Sequence, residues 1–441
     1  MRTAFVALVL LGCIAVAAPS ARAAAVWCGT DLAAADRLPE AVSSNQIHVI
    51  YAFPSDGVDR FAALAPAIVA DLTAIDAWWR GQDPSRTPRF DLFAFPNCPP
   101  GMGNLDLSRV QLPRDSSVYA PLRTRFGQLV GDLTRTPFSF EAEFKKYLVL
   151  YDGPVEEPGV CGESPVRPDG GGLQLAFSLV FLAAKCPQDL GTGAFQAAVV
   201  AHELTHNLGS LVFQGPPHAC PQDFGHPCDS EADLMYPLLR VGLTGLVLDV
   251  GRDDYYAHSG AWWDVQDSPW LARLDVSQLS LSVSLAGSTG SGTVKSDRPG
   301  IDCPQTCSVA WEQGTTLALV AEASRGSRFA GWSGACLGLQ ECQLTVDAAK
   351  AVSARFARQV RLRVQVVRRK GSVGSVVSTP AGINCPSACA RDFDQGARIV
   401  LRAKPRRGSR FVGWAGACGG TGPCAIRLDA NSGVRAVFRK R

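Results

Sequence analysis

Two histidines four residues apart, with a glutamate directly after the first, stand out in this 441-residue chain. The segment runs from His202 to Gly209 and reads His-Glu-Leu-Thr-His-Asn-Leu-Gly. On a helix, His202 and His206 lie one turn apart, so both imidazoles project from one face and can share a metal ion. Neutral imidazole nitrogen suits Zn²⁺ and leaves room for a third ligand and a water. Glu203 is predicted to take the proton of that water, whose pKa the metal lowers to about 7.

Gly209 follows the predicted helix, where a left-handed conformation lets the chain turn back. The pattern His-Glu-x-x-His-x-x-Gly resembles the metzincin clan of zinc endopeptidases. That clan places a third histidine three residues after the glycine, but here the position is Val212, which cannot bind metal. The resemblance therefore implies a metzincin-like catalytic domain with a different third ligand.

The segment from His226 to Pro237 is the candidate source of that ligand. It is similar to the matrix metalloproteinase segment in which a third zinc-binding histidine is followed shortly by Leu-Met-Tyr-Pro. By this resemblance His226 is the third ligand, Met235 forms the turn beneath the metal, and residues 210–225 are an insertion. His218 is the competing third ligand, because it also lies within reach of a looped chain.

Two weaker signals accompany this constellation. Asp249, Asp253 and Asp254 are candidate Ca²⁺ ligands through their hard oxygens, although such clusters in turns are often only solvated. The stretch Trp27 to Asp31 resembles the cysteine switch of matrix metalloproteinases, in which a thiolate blocks the zinc. An ordinary disulfide at Cys28 is the alternative, favoured by an even cysteine count after export.

The elements that position these residues are predicted from hydrophobic patterns within residues 24–275. We expect strands over 46–53, 89–95, 146–151 and 173–181, and helices over 62–79 and 194–208. Strands alternating with helices indicate an α/β (α+β) domain with a largely parallel or mixed sheet. The helix over 194–208 then carries the metal-binding histidines.

The N-terminus predicts export. Residues 1–23 combine a basic start, an apolar run and a small-x-small site at Ala21 to Ala23, as in a secretory signal peptide. A lipid anchor at Cys13 is the alternative, disfavoured because apolar residues continue to Ala18. No later stretch is expected to be long and apolar enough to span a membrane. The mature protein is therefore predicted to be secreted.

Removal of Cys13 leaves 14 of the 15 cysteines, enough for seven disulfides in an oxidising compartment. Spacing suggests five local pairs, and elimination adds two more. The expected pairs are Cys220–Cys228, Cys303–Cys307, Cys336–Cys342, Cys385–Cys389, Cys418–Cys424, Cys161–Cys186 and Cys28–Cys98.

The last third of the chain is a tandem duplication. Cysteines, a tryptophan and a phenylalanine recur at a constant offset of 82 residues, as with Trp332 and Trp414. The pattern resembles divergent internalin-type B-repeats and predicts two small disulfide-stapled β domains, over 276–358 and 359–441. The tryptophans are interpreted as core residues, with a sugar-binding platform as the alternative.

The net charge of +3 hides a division between these regions. Residues 359–441 carry 17 basic and 3 acidic side chains, a net charge of +14, and residues 276–358 carry +1. The remaining 275 residues therefore carry −12. The final repeat is a candidate tether to a polyanionic surface polymer such as a glycosaminoglycan or nucleic acid, or its charge serves solubility alone.

Together these features predict a secreted zinc-dependent endopeptidase acting on a protein or peptide substrate. The alternative is a non-catalytic adhesin or binding protein with a degenerate metallopeptidase domain, and the absence of histidine at position 212 is its best support.

Overall fold

The computed structural model describes residues 27–29, 32–38, 41–157, 159–164, 176–182, 194–210, 215–369 and 371–441. Several predicted features lie outside these residues: the signal peptide with Cys13, part of the segment resembling a cysteine switch, Cys186, Val212 and the first part of the strand expected over 173–181. The described chain consists of a mixed α/β region followed by an all-β region.

The α/β region supplies the following helices and strands among the described residues. In chain order they are β1 (Gln46–Phe53), α1 (Phe61–Gln82), β2 (Arg86–Pro88), β3 (Leu107–Gln111), α2 (Ser116–Tyr119), α3 (Leu122–Leu133), β4 (Lys145–Tyr151), β5 (Gly162–Glu163), β6 (Phe177–Phe181), α4 (Ala194–Asn207), β7 (Ala219–Cys220), β8 (Asp223–Pro227) and β9 (Leu271–Arg273). Five strands form one sheet in the order β3-β1-β4-β6-β5. All its pairs are parallel except that of the edge strand β5, which confirms a mixed sheet.

The sheet is covered on both faces, and every residue of its central strands β1 and β4 is buried. Alternate residues of β1, such as Val49 and Tyr51, pack with α1 and α4. The residues between them, such as Ile50, pack with α3 on the opposite face. This layering places α4, and with it the histidine pair, against the sheet.

Two expectations for this region are wrong. The strand expected over 89–95 is replaced by isolated bridges at Phe90 and Leu92, because the preceding residues form β2 and pair with β9. Helix α1 is also long and apolar enough to cross a membrane, which was not expected of any segment after the signal peptide. Its apolar face is instead packed into the core, with Ile68, Ile75 and Trp79 buried.

The all-β region contains two copies of one arrangement. Its strands are β10 (Gln278–Ser284), β11 (Gly292–Ser296), β12 (Asp302–Cys303), β13 (Ser308–Glu312), β14 (Thr316–Ala323), β15 (Ser327–Gly334), β16 (Cys342–Thr345), β17 (Lys350–Arg369), β18 (Gly374–Thr379), β19 (Asn384–Cys385), β20 (Ala390–Asp394), β21 (Ala397–Pro405), β22 (Ser409–Gly416), β23 (Cys424–Leu428) and β24 (Ser432–Lys440). Each copy has its own four-stranded sheet, β12-β11-β14-β16 or β19-β18-β21-β23. Trp332 and Trp414 are buried in the two cores, and each indole donates to a backbone carbonyl.

One strand joins the two copies. The first half of β17 pairs with β10 and β15, and its second half pairs with β20 and β24, so both copies contribute to one seven-stranded sheet. The predicted boundary at 358/359 falls inside this continuous strand.

The first copy contacts the α/β region through Glu312. Its carboxylate accepts from the Arg89 guanidinium at 2.5 Å and from the Arg273 backbone at 2.9 Å. Ser43 adds a hydrogen bond to the Ala310 carbonyl. These contacts attach the repeats to the strands that flank the sheet.

Five of the expected disulfides are present: Cys220–Cys228, Cys303–Cys307, Cys336–Cys342, Cys385–Cys389 and Cys418–Cys424. Cys161 is also disulfide-bonded. The expected Cys28–Cys98 bond is not: both residues are free thiols. They are nonetheless hydrogen-bonded neighbours, and the Cys28 side chain raises the pKa of Cys98 to about 11.

Candidate metal centre

Helix α4 presents two imidazoles on one face, as the spacing of the motif predicts. The ring centroids of His202 and His206 are 4.8 Å apart, and both side chains are buried. The helix ends at Asn207, and Gly209 adopts a φ of 109°, a conformation that a side chain would strain. The chain therefore leaves the helix directly after the second histidine.

His226 reaches the same point from strand β8. Its Nε2 atom lies 3.2 Å from Nε2 of His202 and 3.1 Å from Nε2 of His206. Nitrogen ligands at about 2.0–2.1 Å from a tetrahedral Zn²⁺ are about 3.3 Å from one another. The spacing of the three nitrogens therefore fits a shared zinc ion.

The proton positions implied by the surroundings also fit a cation. The Leu234 carbonyl can only accept, so His202 Nδ1, at 2.7 Å, must donate to it. His226 Nδ1 lies 2.8 Å from an Asp223 carboxylate oxygen, which favours a proton there although the angle misses a hydrogen bond. Both Nε2 atoms then carry lone pairs that face each other, an arrangement that is repulsive unless a cation lies between them.

Burial keeps the helical histidines neutral. It lowers the pKa of His202 to about 3, with His226 adding to the effect. Burial likewise lowers the pKa of His206 well below its ordinary value. Both rings therefore offer unprotonated nitrogens at neutral pH, which metal ligation requires.

Glu203 lies beside the three imidazoles and against the edge strand of the sheet. A Cβ built on Gly162 of β5 would be 2.4 Å from Glu203 Cδ, so the glycine leaves room for the carboxyl group. Ser164 donates to the Glu203 backbone carbonyl at 3.0 Å. Burial, reinforced by the neighbouring Glu163, raises the pKa of Glu203 to about 8.

These residues line one cleft with a volume of about 670 Å³. One wall of the cleft is formed by β5 and its flanking residues. Another wall is formed by the segment after Met235, and the three histidines and Glu203 line the same cleft. Glu163 on β5 is held by Arg125 of α3 at 2.7 Å, which fixes the edge strand. Gly162 and Arg125 were not anticipated, because no short-range pattern connects them to the histidine motif.

The segment before Met235 orients the His202 side chain through a hydrogen bond. Met235 is fully buried, and the carbonyl directly before it belongs to Leu234, the acceptor of His202. The Asp233 carboxylate accepts from the backbone of Met235 and Val250, each at 2.7 Å, and from the Tyr255 hydroxyl at 2.9 Å. This turn therefore holds the imidazole in place from behind.

The alternative third ligand, His218, lies elsewhere. Its Nδ1 is 3.1 Å from an oxygen of Asp254, and its backbone N–H donates to the other oxygen. It joins a different acidic group and is not part of the cluster of His202, His206 and His226.

The carboxylates of Asp249, Asp253 and Asp254 do lie close enough together to share a cation. However, Asp249 already accepts from the backbone of Tyr255 at 2.7 Å and Tyr256 at 2.6 Å. These bonds account for its role in shaping the turn, and the Ca²⁺ assignment remains a sequence prediction.

A second polar cluster is sealed within the sheet. His48 Nε2 is 2.9 Å from Ser108 Oγ, and His48 Nδ1 is 2.8 Å from Asp91. All three side chains are fully buried, and Lys145 also contacts Asp91. These contacts link a serine, a histidine and an aspartate, as in a catalytic triad. Because all three side chains are fully buried, the cluster is closed to substrate and is interpreted as a structural network.

A comparison with protein families finds a match in the C-terminal region. The family described as "Divergent InlB B-repeat domain" matches residues 286–360 and 375–441. This confirms the resemblance predicted from the 82-residue duplication. No curated protein matches the chain by sequence.

Among solved structures, OgpA from Akkermansia muciniphila is 12% identical, with 90% of this chain and 96% of that chain covered and a TM-score of 0.30. Catalytically inactive OgpA in complex with an O-glycopeptide (glycodrosocin) substrate is 11% identical, with coverages of 71% and 96% and a TM-score of 0.28. Archaemetzincin (amzA) from Methanopyrus kandleri is 15% identical, with coverages of 45% and 84% and a TM-score of 0.25. Scores this low do not establish a shared fold.

Proposed function

We propose that this chain is a secreted zinc-dependent endopeptidase in which His202, His206 and His226 hold the metal and Glu203 is the general base. The observation that carries the proposal is the convergence of three imidazole nitrogens beside a buried glutamate in an open cleft. A purely structural zinc site is closed by four protein ligands, whereas this cluster offers three among the residues that the structure describes.

A zinc ion held by His202, His206 and His226 would supply Lewis-acid chemistry: it would lower the pKa of a water, polarise a carbonyl and favour the ionised form of the adjacent carboxyl group. The Glu203 carboxylate would accept a proton from a water that attacks the peptide carbonyl carbon and would deliver it to the leaving amine nitrogen. Gly162 leaves the carboxyl group free to do this, and Arg125 holds the strand beside it.

The edge strand β5 is the element positioned to orient a substrate. It pairs with β6 on one side and stands at the end of the sheet order. An extended peptide can add to such an edge through main-chain hydrogen bonds. This explains how the cleft would select an unfolded segment of a protein.

The repeats are proposed to attach the enzyme to a surface. The five disulfides are consistent with an exported protein. The first copy contacts the α/β region through Glu312 and Ala310.

The test is the Glu203→Gln variant of the full chain, assayed on a mixture of quenched fluorogenic peptides. We expect hydrolysis to fall by about 10²–10⁴-fold because a positioned base is lost. Zinc content measured on the same sample should remain that of the wild type. Wild-type hydrolysis by a zinc-loaded Glu203→Gln protein would overturn the assignment.

A further inference from the structure

The outward face of the second repeat carries an unusual set of exposed arginines. In the part of β17 from residue 360 to 365 the even positions, such as Leu362 and Val364, enter the core, and the odd positions face solvent. Strands β24 and β22 continue the same face. We define the arginine face as Arg361, Arg363, Arg369, Arg410, Arg435 and Arg439, all exposed.

These arginines are aligned by strand register. Arg369 lies beside Arg439, and Arg439 lies opposite Arg410, so three like charges form a row across three strands. Like charges directly opposite each other destabilise a sheet. Among the described contacts, only Arg361 of this face has a carboxylate partner, Asp392 at 3.3 Å. The stability of the sheet therefore does not explain why these arginines are placed next to one another.

The first repeat shows that the fold does not require arginine at three of these positions. Ser284 lies beside Ser353 there, as Gln365 lies beside Arg435 in the second repeat. By the same register, Ser280 and Ser282 occupy the places of Arg361 and Arg363. One scaffold thus carries serines in one copy and arginines in the other.

The arginines also border a groove with a volume of about 550 Å³, lined by Arg361, Arg363 and Arg435. Gly433 lies beside Arg363 in the neighbouring strand, and a Cβ built on it would meet nothing within 4 Å. The missing side chain leaves space between the guanidinium groups for an anionic group. Guanidinium binds carboxylate and sulfate in two-pronged geometry.

We infer that the arginine face binds a linear acidic polysaccharide bearing sulfate or carboxylate groups. Nucleic acid fits less well, because single-stranded binders stack bases on aromatic side chains. Trp414 and Phe438 of this sheet are buried on its other side, and the row between the arginines consists of the half-buried Val367 and Val437. This inference deepens the attachment role proposed for the repeats and does not depend on the metal centre.

The experiment measures binding of the full-length Glu203→Gln protein to heparin, with oligothymidylate as the nucleic-acid probe. We expect heparin to bind more tightly than oligothymidylate, and binding to weaken with added salt. Exchanging Arg361, Arg363 and Arg435 for serine should raise the heparin Kd about tenfold. The matched control exchanges Arg398, Arg402 and Lys404 for serine, which removes the same charge from β21 in the separate four-stranded sheet of this repeat.

The reciprocal variant places arginine at Ser280, Ser282 and Ser353 and should strengthen heparin binding. An equal loss in the control variant, tighter binding to oligothymidylate, or no heparin binding by the wild-type face would each overturn the inference. Peptide hydrolysis by the serine variant, in a background that keeps Glu203, should be unchanged. The proposed attachment site and the proposed peptidase site can therefore be contradicted by separate results.

Discussion

The Nδ1 atom of His202 donates a hydrogen bond to the Leu234 carbonyl at 2.7 Å. The His202 imidazole on the helix is thus oriented by the turn that buries Met235, although 32 residues separate the two partners. Backbone acceptors of this kind fix the tautomer and direction of a ligating imidazole. The turn is therefore part of the centre although it supplies no ligand.

Asp233 should control metal affinity through that turn. Its carboxylate holds the backbone of Met235 and Val250, so the Asp233→Ala variant should loosen the Leu234 carbonyl. We expect zinc affinity to fall about 10–100-fold, as for other supporting partners of metal ligands. Competition with a chromogenic chelator measures this. The exposed Glu231→Ala variant is the control, and equal affinities in both would contradict the role of the turn.

Gly162→Ala should damage catalysis without removing metal. The added Cβ would lie 2.4 Å from Glu203 Cδ, so the carboxyl group must move away from its position in the cleft. We expect kcat/KM for peptide hydrolysis to fall about 100-fold, with zinc content unchanged. Gly127→Ala on α3 is the matched control, since nothing lies within 4 Å of its added Cβ. A wild-type rate for Gly162→Ala would argue against Glu203 as the base.

Asp71 should make the stability of the fold depend on pH. It is buried between α1 and α4, and burial raises its pKa from 3.8 to about 7. Since the folded state holds this proton more tightly, the contribution of Asp71 is fully present below pH 3.8 and is lost as pH rises to about 7.

The Asp71→Asn variant should therefore be more stable than the wild type at pH 8, by roughly 2–4 kcal/mol, and similar to it near pH 4. Urea unfolding at the two pH values measures the difference. Glu141→Gln, at an exposed position, should change neither value. Equal stability of Asp71→Asn and wild type at pH 8 would show that the carboxylate is not desolvated.

The Cys220–Cys228 disulfide should preorganise the third ligand. It closes the β7–β8 hairpin that carries His226. Replacing both cysteines with serine frees the hairpin, and we expect weaker zinc binding because more conformational freedom is lost on coordination. Replacing Cys418 and Cys424 in the second repeat should leave zinc binding unchanged. Zinc dissociation constants for the two variants decide the matter.

The parts of this site that could be predicted are those encoded by local periodicity. His202, Glu203 and His206 share one helical segment, so spacing alone predicted that the histidines meet. His226 was favoured over His218 only by its resemblance to a known segment, since no spacing rule places a residue across a looped chain. Gly162 approaches Glu203 because β5 forms the edge of the sheet, and that depends on strand order.

The two β repeats were predicted from the sequence duplication, but the shared strand that joins them was not. The duplication separates two modules in sequence, whereas β17 passes through both and makes a single sheet. Likewise, the excess of basic residues was visible in the sequence, while the alignment of Arg369, Arg439 and Arg410 required the strand register.

The most direct measurement is the metal content of the purified full-length protein by inductively coupled plasma mass spectrometry. We expect about one zinc per chain, lost in the His226→Ala variant and kept in the His218→Ala variant. His218 is the matched control because it is bound to Asp254 and lies outside the three-histidine cluster. A protein without zinc, or one that keeps its zinc in His226→Ala and loses it in His218→Ala, would contradict the proposed centre.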